Sequence, residues 1–315
     1  MSDVVTLTMN PAIDLSVSVE RVTPFHKLRS SEGRRDPGGG GINVARVMKR
    51  LGADVTAVYP AGGTLGLLLR QLVEKEGISQ VAIPIAAETR EDFTVNERVT
   101  GFQYRFVVPG PSLTEHEWHA CLSRCAALDV HTRFVVCSGS VPPGVPDDFY
   151  RRVVETTRRT GRQIIIDSSG TPLKAVLAAG VYLVKPSLSE LRDLFGAALE
   201  IRADQIKACR LLIEKQQAEV VALTLGEQGA ILVTHDQVLR ARALPIEPKS
   251  VVGAGDSFLG AMIWALTSGH TLDEAFRYGV AAGSAALLMP GTELCRREDI
   301  ERLVKHVELD VLLSK

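Results

Sequence analysis

Val252-Gly-Ala-Gly-Asp-Ser-Phe-Leu-Gly260 opens with small residues, runs into apolar ones, and sets a carboxylate, Asp256, where the first turn of a helix would lie. Free backbone N–H groups and the positive end of the helix dipole gather at such a start. Glycine lets the main chain approach a phosphate without a Cβ clash, and a carboxylate beside it can accept a hydroxyl proton. A base, an anion hole and positioning are what phosphoryl transfer to an alcohol needs. The same letters also suit an ordinary helix start with a capping acid, so the reading needs a second feature. Pro37-Gly-Gly-Gly-Gly-Ile-Asn-Val-Ala-Arg46 supplies it, opening another helix. Its four glycines cost roughly 1 kcal/mol each to order, which a loop with nothing to approach closely would rarely retain.

Outward from these stretches, apolar β-rich runs at Val4 to Met9, Val55 to Tyr59, Phe134 to Cys137, Ile164 to Ile166, Tyr182 to Val184 and Val220 to Leu225 predict buried strands. Helical spacing of apolar residues predicts helices at Ile42 to Leu51, Leu65 to Lys75, Asp147 to Thr160 and Ala203 to Lys215. Such alternation implies an α/β fold, a Rossmann-type core with a mainly parallel sheet flanked by helices. Two regions, Leu15 to Asp36 and Arg90 to Val108, alternate apolar and polar residues at period two and predict a small second β-sheet, a candidate lid. From Gly253 onward the chain reads as helices, Ala254 to Ser268, Leu272 to Leu288 and Arg297 to His306.

The 315 residues suit one α/β domain carrying an appendage. With 36 Lys and Arg against 37 Asp and Glu, the basic excess of a nucleic-acid binder is missing, and any anion site must be local. No apolar run is long enough to predict a membrane span. The start, Met1-Ser-Asp-Val-Val-Thr-Leu-Thr, enters a strand-like run without the pattern of a secretory signal, so a cytoplasmic location is expected. Five cysteines with no C-x-x-C spacing read as reduced, apolar fillers. No Gly-Lys-Ser/Thr occurs, which argues against a P-loop enzyme, and the first strand lacks the Gly-x-Gly-x-x-Gly of a dinucleotide binder.

Beyond the two glycine motifs, Asn10-Pro-Ala-Ile-Asp14, Ser138-Gly-Ser-Val-Pro-Pro-Gly144, Asp167-Ser-Ser-Gly170 and Val184-Lys-Pro186 follow in an order and spacing that resembles the ribokinase-like superfamily, specifically the phosphofructokinase B family. The resemblance covers essentially the whole chain. It implies one ribokinase-like kinase domain over 1–315, with lid strands inserted at about 15–36 and 90–108. Finer agreement at Lys27-Leu-Arg29, Gln103-Tyr-Arg-Phe-Val107 and Val280-Ala-Ala-Gly-Ser-Ala-Ala286 is with the minor bacterial 6-phosphofructokinases of that family. The implied reaction is transfer from MgATP to fructose 6-phosphate. Tagatose 6-phosphate and fructose 1-phosphate kinases are similar in the glycine loop and stand as alternatives. A catalytically silent sugar-phosphate or nucleotide sensor is a reading of another class.

By that resemblance Asp256 is the base, and Gly253, Ala254 and Gly255 shape the anion hole. Asp14 and the loop Gly38, Gly39, Gly40 and Asn43 would hold sugar hydroxyls. Arg90, Arg105 and Ser140 would hold the phosphate already on the substrate, a task suited to bidentate, always-charged donors. Lys185, Ser187, Thr224, Gly226, Gly229, Val280, Gly283 and Ser284 would line the nucleotide site. Where the family usually has Asn-x-x-Glu after Lys-Pro, this chain has Ser187-Leu-Ser-Glu190, so magnesium is expected at Glu190 with the serine acting through water. A potassium ion on the carbonyls of Ser250, Val252, Ala286 and Gly291 is a further implication. So are a homodimer formed through the lid sheet and inhibition by MgATP, with Lys27 near both nucleotide and sugar.

Overall fold

Val4, Phe134 and Val136 pack into one apolar cluster while their chain neighbours Val5, Leu7, Val135 and Cys137 pack into another. Strands buried on both faces show this division, because successive side chains point to opposite sides. The computed structural model describes residues 2–314. Its strands are β1 (Val4–Leu7), β2 (Ala12–Val19), β3 (Arg34–Gly38), β4 (Val55–Ala61), β5 (Ser79–Pro84), β6 (Arg90–Glu97) and β7 (Gln103–Phe106). They continue as β8 (Phe134–Ser138), β9 (Gln163–Asp167), β10 (Val181–Val184), β11 (Ala218–Thr224), β12 (Ala230–Val233), β13 (Gln237–Ala241) and β14 (Leu309–Ser314). The helices are α1 (Gly40–Arg50), α2 (Gly63–Lys75), α3 (Glu115–Ala126), α4 (Phe149–Thr157), α5 (Gly170–Leu177), α6 (Leu188–Phe195), α7 (Arg202–Glu214), α8 (Ala254–Thr267), α9 (Leu272–Leu287) and α10 (Arg297–Leu303).

Among the described residues, ten strands form the main sheet in the order β14-β13-β12-β11-β10-β9-β8-β1-β4-β5, parallel from β11 to β5. Helices α1, α2, α8, α9 and α10 cover one face, and α3 to α7 the other. The expected α/β core is therefore present, with one addition. β12, β13 and β14 pair antiparallel at the edge, and the C-terminal third, read as helices alone, ends in a strand. The link from β11 to β12 is too short for a crossover helix, so the chain has to turn back as a hairpin.

The second sheet, β3-β2-β6-β7, gathers strands from both predicted insertions. β2 lies parallel to β6 over its whole length, and β7 folds back antiparallel on β6. Asp14 stands opposite Asp92 and Thr94 opposite Arg105, so one face of this sheet is polar. The alternate residues Leu15, Phe93, Tyr104 and Phe106 make the other face apolar, with the Phe93 and Phe106 rings 6.4 Å apart.

Candidate active site

The parallel strands end in chemistry. Ser138 closes β8, Asp167 closes β9, Lys185 follows β10 and Thr224 closes β11, all at the carboxyl edge where open α/β sheets bind ligands. Two helices begin at the same edge. α1 starts from Gly39 and α8 from Gly253, and among the described residues no side chain caps either start. The first amides of each, including those of Ala254 and Gly255, therefore have no helical acceptor and remain available to an anion.

Asp256, in the first turn of α8, receives a hydrogen bond from the Asn43 amide of α1, Nδ2 to Oδ2 2.9 Å. Burial raises the Asp256 carboxyl above its usual range, while the Asn43 bond and the Lys185 charge pull it back. Lys185 is itself buried and pairs with Asp167, Nζ to Oδ1 3.0 Å. Burial works against the ammonium, but Asp167 and Glu190 outweigh it and hold it charged. Burial pushes the Asp167 carboxyl up to about 6, with Lys185 opposing and Asp256 and Glu190 reinforcing the rise. A Cβ on Gly255 would sit 3.3 Å from Lys185 Nζ, so this ammonium lies against the opening of α8.

Among the residues expected at the sugar, Asp14 in β2 is 4.0 Å from the Arg105 guanidinium of β7. Burial pushes the Asp14 carboxyl to about 6, with Arg105 lowering and Asp92 raising it. Gly38, at the end of β3, lies against the Asp14 carboxylate, and Gly40 lies against Ser138. Gly40 has no room for a side chain, since a Cβ there would meet Ser138 Oγ at 2.2 Å. Arg105 is partly exposed, but Arg90 is already engaged. It donates to the carbonyls of Val108 (2.9 Å) and Asn10 (3.0 Å) and approaches Asp92 at 3.4 Å. Ser140 accepts from Asn10 Nδ2 at 3.1 Å, which places Asn10 beside two of the three expected phosphate holders, Arg90 and Ser140.

The residues expected at the nucleotide fall into two groups. Thr224 bridges to Ser187, and its amide donates to the Pro186 carbonyl at 3.0 Å. Gly226 has open space around it, whereas Gly229 is required by packing. At φ +95°, its Cβ would stand 2.1 Å from the Ala241 carbonyl of the returning hairpin. Val280, Gly283 and Ser284 lie on α9, where Gly283 packs on the Ala254 carbonyl at the head of α8. Ser187 and Glu190 form a full capping box on α6. The serine hydroxyl accepts from the Glu190 amide at 3.2 Å, and the glutamate returns to the Ser187 amide at 2.7 Å. The sequence pattern Ser-x-x-Glu carries that signal directly.

Around the expected potassium carbonyls, Ser250 Oγ donates to the Gly291 carbonyl (2.8 Å) and accepts from the Val252 amide (3.2 Å). The Ala286 carbonyl, at the end of α9, accepts from Met289. Lys27 stands apart. It is exposed between β2 and β3 and lines a surface cleft with Arg21, Leu28, Arg29 and Val99, none of them another expected site residue. A cavity of about 1050 Å³ opens at the other end of the sheet near Gln163, Val181 and Ala218, so volume alone does not mark the site.

Three residues of this constellation were given no role by sequence reasoning. Asp167 and Asn10 lie inside recognisable motifs, and only the folded sheet brings them to Lys185 and Ser140. Arg46 ends the glycine motif and is buried entirely.

Known proteins resemble this chain over nearly its whole length. The family model described as pfkB family carbohydrate kinase matches residues 3–299. Over 299 residues the chain is 47% identical to the ATP-dependent 6-phosphofructokinase isozyme 2 of Mycobacterium tuberculosis, covering 95% of this chain and 88% of that protein. Phosphofructokinase-2 from Escherichia coli, solved in complex with substrates and products, superposes with a TM-score of 0.92 at 37% identity, over 96% of this chain and 98% of that one. Its potassium complex gives 0.93 over 97% and 99% at the same identity. Open helix starts, a half-buried acid between them and this breadth of similarity lead to one assignment: the chain belongs to the pfkB family of carbohydrate kinases and is a sugar-phosphate kinase.

Proposed function

We propose that this kinase transfers the γ-phosphoryl group of ATP to fructose 6-phosphate, with Asp256 as general base. The observation that carries the reading is the Asp256 carboxylate at the uncapped start of α8, bonded by Asn43 on one oxygen and within the field of Lys185 and Arg105. With Oδ2 engaged, Oδ1 is left to take the proton of the sugar hydroxyl as its oxygen attacks the γ-phosphorus. ADP then leaves with the electrons of the broken bond. The first amides of α8 stabilise the charge on the transferring group, as oriented donors do in a site shielded from water. Asp14 and Arg105, on the polar face of the small sheet, orient the sugar and its existing phosphate.

The donor set suits magnesium, a hard cation that binds oxygen and keeps several waters. Glu190, with Asp167 nearby, would hold it, and it would neutralise charge on the nucleotide phosphates. Glu190 Oε2 already caps α6, which leaves Oε1 to meet the ion directly or through one of its waters. Ser250 draws Val252 and Gly291 together as a potassium site would require, and the E. coli relative solved with potassium supports that ion here. The apolar outer face of the small sheet supports a homodimer through it. Five buried free thiols accord with a cytoplasmic location.

A coupled ADP-release assay with MgATP tests the reading, comparing fructose 6-phosphate, tagatose 6-phosphate and fructose 1-phosphate over a concentration series. The highest kcat/KM is expected for fructose 6-phosphate. A higher value for either other sugar would reassign the substrate, and no turnover with any would remove the proposal.

A further inference from the structure

We infer that Arg46 is a positioning residue for the catalytic base, acting through the orientation of the Asn43 side-chain amide. This rests on Asp256 being the base. Arg46 lies one turn beyond Asn43 on α1 and is wholly buried. Its guanidinium donates to Glu76 (2.9 Å), the Pro37 carbonyl (3.1 Å), Asn43 Oδ1 (3.3 Å) and Asp36 (3.3 Å). Asp36 is held in turn by Thr292, 2.8 Å away.

An asparagine amide has one accepting end and one donating end, and a guanidinium can only donate. Arg46 therefore forces the Asn43 oxygen toward itself, which leaves the NH2 aimed at Asp256. Reversed, the amide would set its oxygen against the carboxylate and favour the protonated acid. The bond from Asn43 favours the charged form, and a base must be charged to work. The groups facing Asp256 are Lys185 and Asp167 from the main sheet and Asp14 and Arg105 from the small sheet. None of them touches Arg46 through a hydrogen bond, although Arg46 also lowers the Asp14 carboxyl through space.

The test is the pH profile of kcat for Arg46→Lys, which keeps a cation between Asp36 and Glu76 but offers one nitrogen where four acceptors wait. The acid limb is expected to move up by about one pH unit, a tenfold loss on the acid side recovered in part at high pH, with the KM for ATP unchanged. In an Asn43→Ala background the same substitution should move the limb no further, since the intermediary is gone. Arg46→Gln, whose amide can present either a donor or an acceptor to Asn43, carries the test should the lysine variant fail to fold, with a shift in the same direction that is again absent in the Asn43→Ala background. A uniform loss of kcat with a lowered Tm and an unmoved acid limb would show Arg46 to be structural only and overturn the inference. If Asp256→Asn leaves turnover intact, the failure lies instead with the base assignment.

Discussion

Replacing Asp14 by asparagine should make the protein more stable at neutral pH while damaging its sugar site. Asp14 is 4% exposed, and burial raises its carboxyl from 3.8 to about 6 against the pull of Arg105. The raised value fixes the sign. Below about pH 4 the group is protonated in both the folded and unfolded chain and nothing is lost. As pH climbs through 6, the unfolded chain ionises first, and stability present at low pH is withdrawn. A rise of about two units at about 1.4 kcal/mol each is a loss of about 3 kcal/mol by pH 8. Asparagine does not titrate and escapes it. An unfolding entropy of about 2.1 cal/mol/K per residue converts each kcal/mol to about 1.5 °C for a chain of this length. Thermal unfolding of both proteins from pH 4 to pH 8, without ligands, should show the variant gaining about 4 °C on the wild type across that range. A difference in Tm that stays constant with pH, or that runs against the variant as pH rises, would refute the argument. The same substitution should raise the KM for the sugar, as expected where a function-bearing acid is held at the expense of stability.

Asp256→Asn should lower kcat at least about 10²-fold with ATP binding retained, measured by ADP release and nucleotide titration. Arg105→Ala should weaken sugar-phosphate binding by about 1.5–3 kcal/mol, the scale of a hydrogen bond to a charged group, and leave the KM for ATP in place. Ser187→Ala should cost about 1 kcal/mol of stability through loss of the α6 cap. Ser187→Asn should not, because asparagine caps equally well, so denaturant unfolding of the pair separates capping from any effect on magnesium affinity.

The glycine motifs were legible because their physical demands are local. Gly39 and Gly253 start helices with positive φ, and the apolar residues after them can only be buried helix. The parallel core was legible for a similar reason, since runs such as Phe134 to Cys137 are apolar on both faces. The edge was not. β14 is a short run at the end of the chain with Val311 and Leu313 exposed, and nothing local distinguishes it from a helix tail. In the site, Asp256 and Asn43 could be named from their motifs, but Asp167 acquires its meaning only where β9 meets β10. Arg90 was expected to hold the substrate phosphate, and its local sequence gives no sign of the Asn10 and Val108 carbonyls that hold its guanidinium. Ser187 shows the opposite case. Its spacing to Glu190 is a capping signal that the sequence carries in full.

The small sheet carries two messages on one set of strands. Asp14, Asp92 and Arg105 alternate along β2, β6 and β7 with Leu15, Phe93, Tyr104 and Phe106. On the proposed function, a substitution at one parity would alter what the pocket recognises, and a substitution at the other would alter what the molecule adheres to. Each trait can therefore drift without disturbing its neighbour, so long as the strands keep their register. An inserted or deleted residue has no such freedom. Shifting β7 by one position would turn Arg105 to solvent and Phe106 into the pocket, losing selectivity and association in a single step. Relatives that differ in acceptor sugar should therefore differ at alternate positions of these strands and keep their lengths.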